Sequence, residues 1–391
     1  MGYYERAIEL RGETAANRRY LHEHAECGLD MPLARARVME ELRRCGLEPR
    51  ACGHGVVAEL GRPGRTILLR ADMDALPMAE ESGEPFACTS GAACHACGHD
   101  LHAAMLLTAA RLLKENEAAL QGTVRLMFQP AEETFEGGRD MVGHGVLDGV
   151  DAALAYHVTP GGMPIGMYLY NDSSTMMYSV DGFKITIQGS GCHGAYPQNG
   201  VDPINIGVHI HLALQSLIAR ETDCSKAAVM TIGQFQAGLA ANIIPDTAVL
   251  QGTIRTNDAA TREKLVRRMK EVACATAAMY GGAAEVEMIS EVPPLVCDGE
   301  LTRAFVRYMD ESGVPGVHGR GGIEASASED FAVVAERVPA TFMYISAGYP
   351  DDDRGAYPPH HPKVRFNEDV FPVGSSLLAT CATCWLEEHA A

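Results

Sequence analysis

At 391 residues, the chain is long enough for two or three domains of roughly 150 residues each. Its 47% hydrophobic and 21% charged residues exclude a disordered or coiled-coil protein. The 51 acidic and 32 basic residues give a net charge of −19, which argues against nucleic acid or an anionic membrane surface as a partner.

The N-terminal sequence MGYYERAIELRGETAANRR lacks the apolar stretch and the small-residue cleavage site of a signal peptide. No later apolar run approaches about 18 residues, so we expect no membrane span. A cytoplasmic location is therefore predicted, and the twelve cysteines are expected to be reduced thiols.

The first half of the sequence alternates strand-like and helix-like segments, which is typical of a parallel α/β sheet. RTILLRAD, TVRLMFQPAEE and DAALAYHVTP are predicted strands, and HAAMLLTAARLLKEN is a predicted helix. The three strands lead to Asp72 and Asp74, to the pair Glu132 and Glu133, and to His157. Because open α/β sheets bind ligands beyond the carboxyl ends of their strands, we expect these side chains to share one site.

A different pattern, over about residues 180–292, predicts an inserted domain. The strand FKITIQ is followed by a helix from Pro203, two strands, a second helix that stops before Gly281 and Gly282, and the strand AEVEMI. This βαββαβ order is that of a ferredoxin-like fold. The predicted fold class is α/β, with a catalytic domain in residues 1–179 and 293–391 that has a mostly parallel sheet flanked by helices.

Residues 94–102 read CHACGHDLH and concentrate thiol, imidazole and carboxylate groups. Cys97 and His99 are separated only by Gly98, and in an extended segment both side chains would point to the same side. His102 lies at helical i, i+3 spacing from His99, where it would be either a ligand or a supporting residue. The segment is therefore a candidate part of a metal site.

Further candidate ligands lie far away in sequence: the pair Glu132 and Glu133, His157, and the pair His360 and His361. A mixed set of thiolate, imidazole and carboxylate ligands from several elements is typical of a catalytic site for Zn²⁺, Mn²⁺ or a similar ion. One of two adjacent glutamates can hold metal while the other moves protons, as metal-assisted hydrolysis requires.

Seven motifs, in order along the chain, carry a resemblance to a known family. They are RADMDALPM, HACGHDLHAAMLL, QPAEE, HGAYPQNGVDPI, ANIIPDTAVLQGTIRT, SEDFA and HHPKVRFNED. The chain resembles the dinuclear-metal amidohydrolases of the aminoacylase and carboxypeptidase G superfamily. The branch is that of N-acyl-L-amino-acid amidohydrolases, hippurate hydrolases and auxin-conjugate amidohydrolases.

The resemblance implies two bound divalent cations, Mn²⁺ or Zn²⁺, with Co²⁺ or Ni²⁺ as alternatives. The implied ligands are Cys97, which would bridge the two ions, His99, Glu133, His157 and His360. His360 is preferred to His361 because relatives have a histidine, a variable residue and a proline at this point.

Catalytic and substrate-binding roles are assigned as well. The resemblance implies that Glu132 is the general base, while Asp74 would orient a ligating histidine or cap the following loop. From the inserted domain, His193 would stabilise the oxyanion, and Asn242 and Arg255 would hold the substrate. The same domain would form a homodimer in which His193 reaches the partner subunit's site.

The predicted function is metal-dependent hydrolysis of the amide bond of N-acyl-L-amino acids to a carboxylate and a free amino acid. A dipeptidase or another amino-acid-conjugate hydrolase remains open, because the same chemistry serves any amide beside a carboxylate. Two other classes also remain: a hydrolase with Cys97 as nucleophile, and a protein that binds metal or an amino acid without catalysis. Glu132 argues against the last class, because binding alone does not require a second adjacent carboxylate.

Overall fold

The computed structural model describes residues 2–390. The helices are α1 (Tyr3–Glu23), α2 (Pro32–Arg44), α3 (His99–Glu115), α4 (Gly137–Gly143), α5 (Pro203–Ser216), α6 (Ala259–Met279), α7 (Gly299–Asp310), α8 (Ala332–Ala335) and α9 (Val370–Glu388). The strands are β1 (Arg50–Cys52), β2 (Gly55–Gly61), β3 (Thr66–Asp72), β4 (Thr123–Gln129), β5 (Ala152–Thr159), β6 (Met167–Leu169), β7 (Thr175–Met177), β8 (Val180–Gln188), β9 (Cys192–His193), β10 (Ala228–Ala237), β11 (Ile243–Ile244), β12 (Thr247–Thr256), β13 (Ala283–Val292), β14 (Leu295–Val296), β15 (His318–Arg320) and β16 (Ala340–Ser346).

The chain forms two compact units. The first contains the described residues up to Met176, Val296–Ile323 and the described residues from Asp330 onward. The second contains Met177–Leu295 and Glu324–Glu329.

An eight-stranded sheet forms the centre of the first unit, in the order β1-β2-β4-β3-β5-β16-β6-β15. The four central strands β4, β3, β5 and β16 are parallel, whereas β2 and β6 pair antiparallel with β4 and β16. Every residue of β3 is buried, as expected for a strand covered on both faces. The predicted mostly parallel sheet flanked by helices is confirmed.

The direction of the central strands brings their carboxyl ends to one edge of the sheet. β3 ends at Asp72, and β4 ends at Gln129, shortly before Glu132. β5 contains His157 close to its end at Thr159. Helix α3 begins at His99 and packs on β3 and against α1 and α9, so its first residue lies at this edge as well.

Helix α9 belongs to the core of the first unit, where it packs against α1, α3 and α7. By length and composition it could cross a membrane, but 78% of that stretch is buried inside the protein. Serine, threonine and cysteine residues interrupt its apolar sequence, so it contains no continuous apolar run of about 18 residues. Cys381 on α9 is buried, with its Sγ 3.4 Å from the hydroxyl of Tyr156.

The second unit has a four-stranded antiparallel sheet in the order β10-β12-β8-β13. Helices α5 and α6 pack on each other and on this sheet. Phe183, Ile185 and Ile187 of β8 are buried in the same core as Leu265 and Met269 of α6. The unit has the predicted βαββαβ order, with the first and third strands at the centre of the sheet.

The segment Glu324–Glu329 also belongs to the second unit, whereas the sequence-based boundaries assign it to the catalytic domain. The N–H of Tyr178 is shared between the carbonyls of Ala325 and Ala327. The segment is short and lacks a periodic apolar pattern, so the sequence does not indicate its return to this unit.

Candidate metal centre

Cys97 and His99 lie at the start of α3, and Gly98 determines their arrangement. Gly98 has φ 92° and ψ 18°, so the segment is not extended as predicted. A Cβ at Gly98 would lie 2.5 Å from Cγ2 of Val158, so only glycine fits this left-handed turn. Cys97, His99 and His157 each offer a ligand atom within 4.8 Å of the others. The Sγ of Cys97 is 3.4 Å from Nε2 of His157.

Glu132 and Glu133 follow β4 in a turn whose backbone is strained. Ala131 and Phe135, on either side of the pair, have φ values of 52° and 60°, which non-glycine residues seldom adopt. The N–H of Phe135 donates to the carbonyl of Glu132 (2.8 Å). The N–H of Glu133 donates to Oδ2 of Asp74 (3.0 Å). These contacts hold the two carboxylates next to the end of β3.

His360 reaches the same cluster from a distant loop. It too has a positive φ, 64°, and its Nε2 lies 3.3 Å from Oε1 of Glu133. His361 is engaged elsewhere: its ring stacks on Tyr357 with centroids 4.3 Å apart, and its Nδ1 accepts from the N–H of Lys363. The structure therefore brings His360, and not His361, to the other candidate ligands.

Nε2 of His99 is buried without a hydrogen-bond partner, and Oε1 of Glu133 has only Nε2 of His360 near it, at 3.3 Å. Buried polar atoms are nearly always paired, so these two suit a ligand that accepts lone pairs. Nδ1 of His99 lies 3.3 Å from Oδ1 of Asp74, an arrangement that leaves Nε2 available to a cation. The carboxylate of Asp74 thus contacts two candidate ligands: the ring of His99 through Oδ1 and the backbone N–H of Glu133 through Oδ2.

The candidate ligands form two groups that share Cys97. His99 and His157 are grouped with Cys97, and so are Glu133 and His360, each set having ligand atoms within 4.8 Å of one another. A thiolate that belongs to both groups is suited to bridge two ions. The residues present therefore fit two divalent cations held by sulfur, nitrogen and oxygen.

Burial governs the protonation of these groups. It raises the pKa of the Cys97 thiol to about 12, so a cation would be needed to hold the thiolate near neutral pH. Burial, together with the imidazole of His102, holds the pKa of His157 well below its ordinary value, so this ring is neutral. A buried thiol with a raised pKa is the opposite of what a cysteine nucleophile requires, which argues against that function class.

His102 lies beside the candidate ligands, with its ring centroid 5.3 Å from that of His99 and 4.6 Å from that of His157. Its Nε2 accepts from the N–H of Val158 (2.7 Å), and its Nδ1 bonds to Oδ1 of Asp72, so both ring nitrogens are engaged. Sequence patterns do not identify Arg70, which contacts Asp72, or Asp330, which contacts Arg70. Nη1 of Arg70 bonds to Oδ2 of Asp72 (2.7 Å), and Nη2 bonds to Asp330 (3.2 Å). The available signal is an arginine within the apolar strand RTILLRAD, where a buried charge needs partners.

The other predicted site residues lie in the second unit. His193 is on β9, which pairs with β11, and the N–H of Gly194 donates to the carbonyl of Asn242 (2.8 Å). The structure thus brings His193 and Asn242 together, and both are exposed. Arg255 lies on β12, where its Nη1 donates to Oγ of Ser328 (2.8 Å).

Comparison with known proteins identifies the family of the chain. The sequence profile of peptidase family M20/M25/M40 matches residues 68–383. The chain belongs to this family. N-acetylcysteine deacetylase of Bacillus subtilis (strain 168) is 36% identical over 375 residues, which cover 95% of this chain and 96% of the relative. IAA-amino acid hydrolase ILR1-like 2 of Arabidopsis thaliana is 34% identical over 95% of this chain and 85% of the relative.

A solved structure of the M20 family supports the same conclusion. The crystal structure of the Bacillus subtilis YXEP protein, a dinuclear metal-binding peptidase from the M20 family, matches with a TM-score of 0.81. The two sequences are 32% identical, over 97% of this chain and 99% of that chain. The resemblance predicted from the motifs is confirmed, and this M20 protein is a hydrolase.

Proposed function

We propose that this M20 enzyme hydrolyses the amide bond of N-acyl-L-amino acids, releasing a carboxylate and a free amino acid. The observation that carries the proposal is the pair of donor groups that share Cys97, with Glu132 beside them. The substrate class is supported by relatives named N-acetylcysteine deacetylase and IAA-amino acid hydrolase, all at least 34% identical over 95% of this chain.

Five residues would hold two divalent cations: Cys97, His99, Glu133, His157 and His360. When bound, such cations polarise a scissile carbonyl and make water more acidic. The mixture of one thiolate, three imidazoles and a carboxylate suits Mn²⁺ or Zn²⁺, with Co²⁺ or Ni²⁺ as alternatives.

Glu132 is the proposed general base. Only 6% of the residue is exposed, and its Oε2 lies 3.9 Å from Nε2 of His99, so it lies beside the ligands. It would take a proton from the attacking water and pass it to the leaving amine. Asp74 would orient His99 and Glu133 through the two contacts described above.

Residues of the second unit would bind the substrate. His193 is proposed to stabilise the oxyanion of the tetrahedral intermediate by hydrogen bonding. Arg255 would bind the free carboxylate of the amino-acid moiety, because its planar fork can donate two parallel hydrogen bonds. Asn242, next to His193, would donate to the same substrate from its amide.

A homodimer formed by the second unit is also proposed. Helix α5 exposes Ile204, Val208 and Leu212 at a spacing of four residues, by 38%, 44% and 59%. On the neighbouring edge strand β10, Phe235 is 41% exposed, and its ring lies against Gly207 of α5. A contiguous apolar surface beside an unpaired strand edge is typical of a protein–protein interface.

Metal removal and add-back test the proposed function. The protein is treated with a chelator, reloaded with Mn²⁺ or Zn²⁺, and assayed against N-acetyl and N-benzoyl amino acids, N-acetyl-L-cysteine among them. We expect activity to disappear with the metal and to return with either ion. Full activity after verified metal removal, or no turnover of any substrate by the loaded protein, would reject the proposal.

The same panel separates the second candidate function. Relatives named thermostable carboxypeptidase 1 and 2 of Saccharolobus solfataricus are each 34% identical over 92% of this chain, which favours peptides as an alternative. Dipeptides with a free α-amine are therefore included. A higher kcat/KM for these than for acylated amino acids would establish a dipeptidase instead.

A further inference from the structure

The last residues of β5 extend past the end of its neighbour β3. The two strands pair only as far as Arg70 and Ala155, whereas β5 continues to Thr159. Val158 lies in this overhang, and its N–H donates to Nε2 of His102 (2.7 Å). The imidazole of His102, on α3, thus accepts from a backbone N–H of β5 that has no paired residue on β3.

This contact fixes the tautomer of His102. A backbone N–H can only donate, so Nε2 of His102 carries the lone pair and Nδ1 carries the proton. Nδ1 donates to Asp72, whose other oxygen accepts from Arg70 (2.7 Å). Arg70 is held in turn by Gln129 (3.0 Å) and Asp330 (3.2 Å). All five side chains are at least 97% buried, so no solvent competes with these bonds.

The same residue, Val158, fixes the ring of His157. Nδ1 of His157 lies 2.7 Å from the carbonyl oxygen of Val158, which can only accept. Nδ1 therefore carries the proton, and the lone pair of Nε2 faces Sγ of Cys97 at 3.4 Å. The rings of His102 and His157 also meet edge to face, with centroids 4.6 Å apart and an interplanar angle of 68°.

We propose that His102 is a positioning residue for the metal centre: it holds the backbone of Val158, and thereby sets the direction and tautomer of His157, without binding metal itself. The inference rests on the metal centre of the proposed function, but not on its substrate. Outer partners of metal-ligating histidines change metal affinity by about 10–100-fold when removed. Loss of the acceptor nitrogen of His102 should therefore lower the affinity for one of the two ions by a factor in this range.

Three variants separate the acceptor from the volume of the ring. His102→Phe keeps a flat ring but offers no acceptor to the N–H of Val158. His102→Gln can place its amide oxygen near the position of Nε2 and still accept. Thr108→Val, further along α3, removes the buried hydrogen bond between Thr108 and Thr14 (2.7 Å) and is the control for a loosened helix.

Two measurements are made on each variant. Equilibrium dialysis of the metal-free protein against Zn²⁺ gives the number and affinity of bound ions. The ¹⁵N spectrum of histidine-labelled, metal-free protein reports which nitrogen of His157 is protonated. In His102→Phe, we expect one ion to bind about 10–100-fold more weakly and the single Nδ1–H form of His157 to become a mixture. His102→Gln and Thr108→Val should stay close to the wild type in both measurements.

Wild-type zinc binding by His102→Phe, with an unchanged His157 spectrum, would overturn the proposal. Equal losses in the Phe and Gln variants would also overturn it, because the ring volume and not the acceptor would then matter. If the Phe variant does not fold, the Gln variant decides: a retained Nδ1–H form of His157 supports the proposal, and its loss contradicts it. Neither measurement uses substrate, so a failure of the proposed hydrolysis is distinguished from a failure of this inference.

Discussion

At the scale of single residues, backbone strain marks the metal centre. Among residues 2–390, the non-glycine residues with positive φ are Ala131, Phe135 and His360. The first two flank the glutamate pair, and the third is itself a candidate ligand. Such conformations cost of the order of 1–3 kcal/mol each and persist only where other contacts hold them. Their position indicates that the fold is strained where ligands have to converge.

The role of Glu132 is tested by Glu132→Gln, which keeps the shape of the side chain and removes the base. Activity on an N-acyl amino acid should fall by about 10²–10⁴-fold, the usual contribution of general acid–base catalysis. Zinc content should stay at two ions per chain, because the ligands are unchanged. Glu136→Gln, an exposed residue of the same loop, is the matched control and should keep full activity. Equal activity of the two variants would remove Glu132 from the mechanism.

The choice between the two adjacent histidines is tested by His360→Gly and His361→Ala. Glycine accepts the left-handed backbone at position 360, so any loss reports the missing imidazole and not added strain. We expect His360→Gly to lower the affinity for one ion by more than about 100-fold, which exceeds the usual effect of removing a hydrogen-bond partner of a ligand. His361→Ala should bind two ions normally. Dialysis against Zn²⁺ measures both, and the reverse result would transfer the ligand role to His361.

The sequence identifies chemical groups better than it identifies their geometry. Cys97 and His99 are recognisable from their spacing, but the left-handed Gly98 is not, because the side chain that excludes a Cβ there belongs to Val158, which is distant in sequence. The acceptor role of His102 depends on the continuation of β5 past Ala155, its last residue paired with β3, a difference in strand length that sequence patterns do not resolve. Contacts made in three dimensions therefore decide which histidine nitrogens are engaged by hydrogen bonds and which remain available to a cation.

At the scale of elements, Asp100 joins helix α1 to the first turn of α3. Its Oδ2 accepts from Nε of Arg18 (2.6 Å) and lies 2.8 Å from Nδ1 of His22. Nε2 of His22 lies 2.9 Å from Oε1 of Glu80, and Oε2 of Glu80 accepts from the N–H of Cys88 (2.8 Å). A protonated His22 therefore connects α1 to α3 and to the loop that contains Glu80.

This network predicts how stability depends on pH. Burial lowers the pKa of His22, but Asp100 and Glu80 outweigh burial and raise it from 6.5 to about 8. Protonated His22 therefore contributes its full stabilisation of the folded protein below about pH 6.5, and this contribution is lost as the pH rises through 8. A rise of this size corresponds to roughly 2 kcal/mol.

The measurement compares wild type with His22→Gln in urea denaturation at pH 6 and pH 9, with chelator present so that metal binding does not contribute. Wild type should lose about 2 kcal/mol relative to the variant over this range. Glu80→Gln removes one acceptor and should move the loss to lower pH. Parallel pH profiles for wild type and His22→Gln would show that the histidine is not charged in the folded protein.

The elements predicted best are those whose burial is uniform. All seven residues of β3 and the first seven of β5 are buried, and the parallel arrangement places the ends of the two strands together. The three-residue strands β1, β6 and β15 escape prediction because they are short and their pairing is set by neighbouring strands. Helix α1 is mostly polar, so its place beside α3 follows from contacts such as Arg18 with Asp100 rather than from an apolar stripe.

At the scale of the whole molecule, the two edges of the four-stranded sheet differ in how they are protected. Edge strand β13 carries Glu285, Glu287 and Glu291, and charged side chains discourage a further strand from pairing. Edge strand β10, AVMTIGQFQA, has no charged residue. Pairing of β10 with the same strand of a second copy, antiparallel across a two-fold axis, would continue the sheet and cover the exposed face of α5.

The proposed dimer is tested by Leu212→Glu, because symmetry places each substitution in the interface twice. Burial of one leucine contributes about 1.5–3 kcal/mol, so two losses should weaken association by at least about 100-fold. Light scattering after size exclusion should show monomers for this variant and dimers for Ile289→Glu, a matched change at a 59% exposed residue of β13. Since His193 is proposed to act in the partner subunit's site, the monomer should lose activity while retaining two zinc ions. A fully active monomer would instead require each chain to complete its own site.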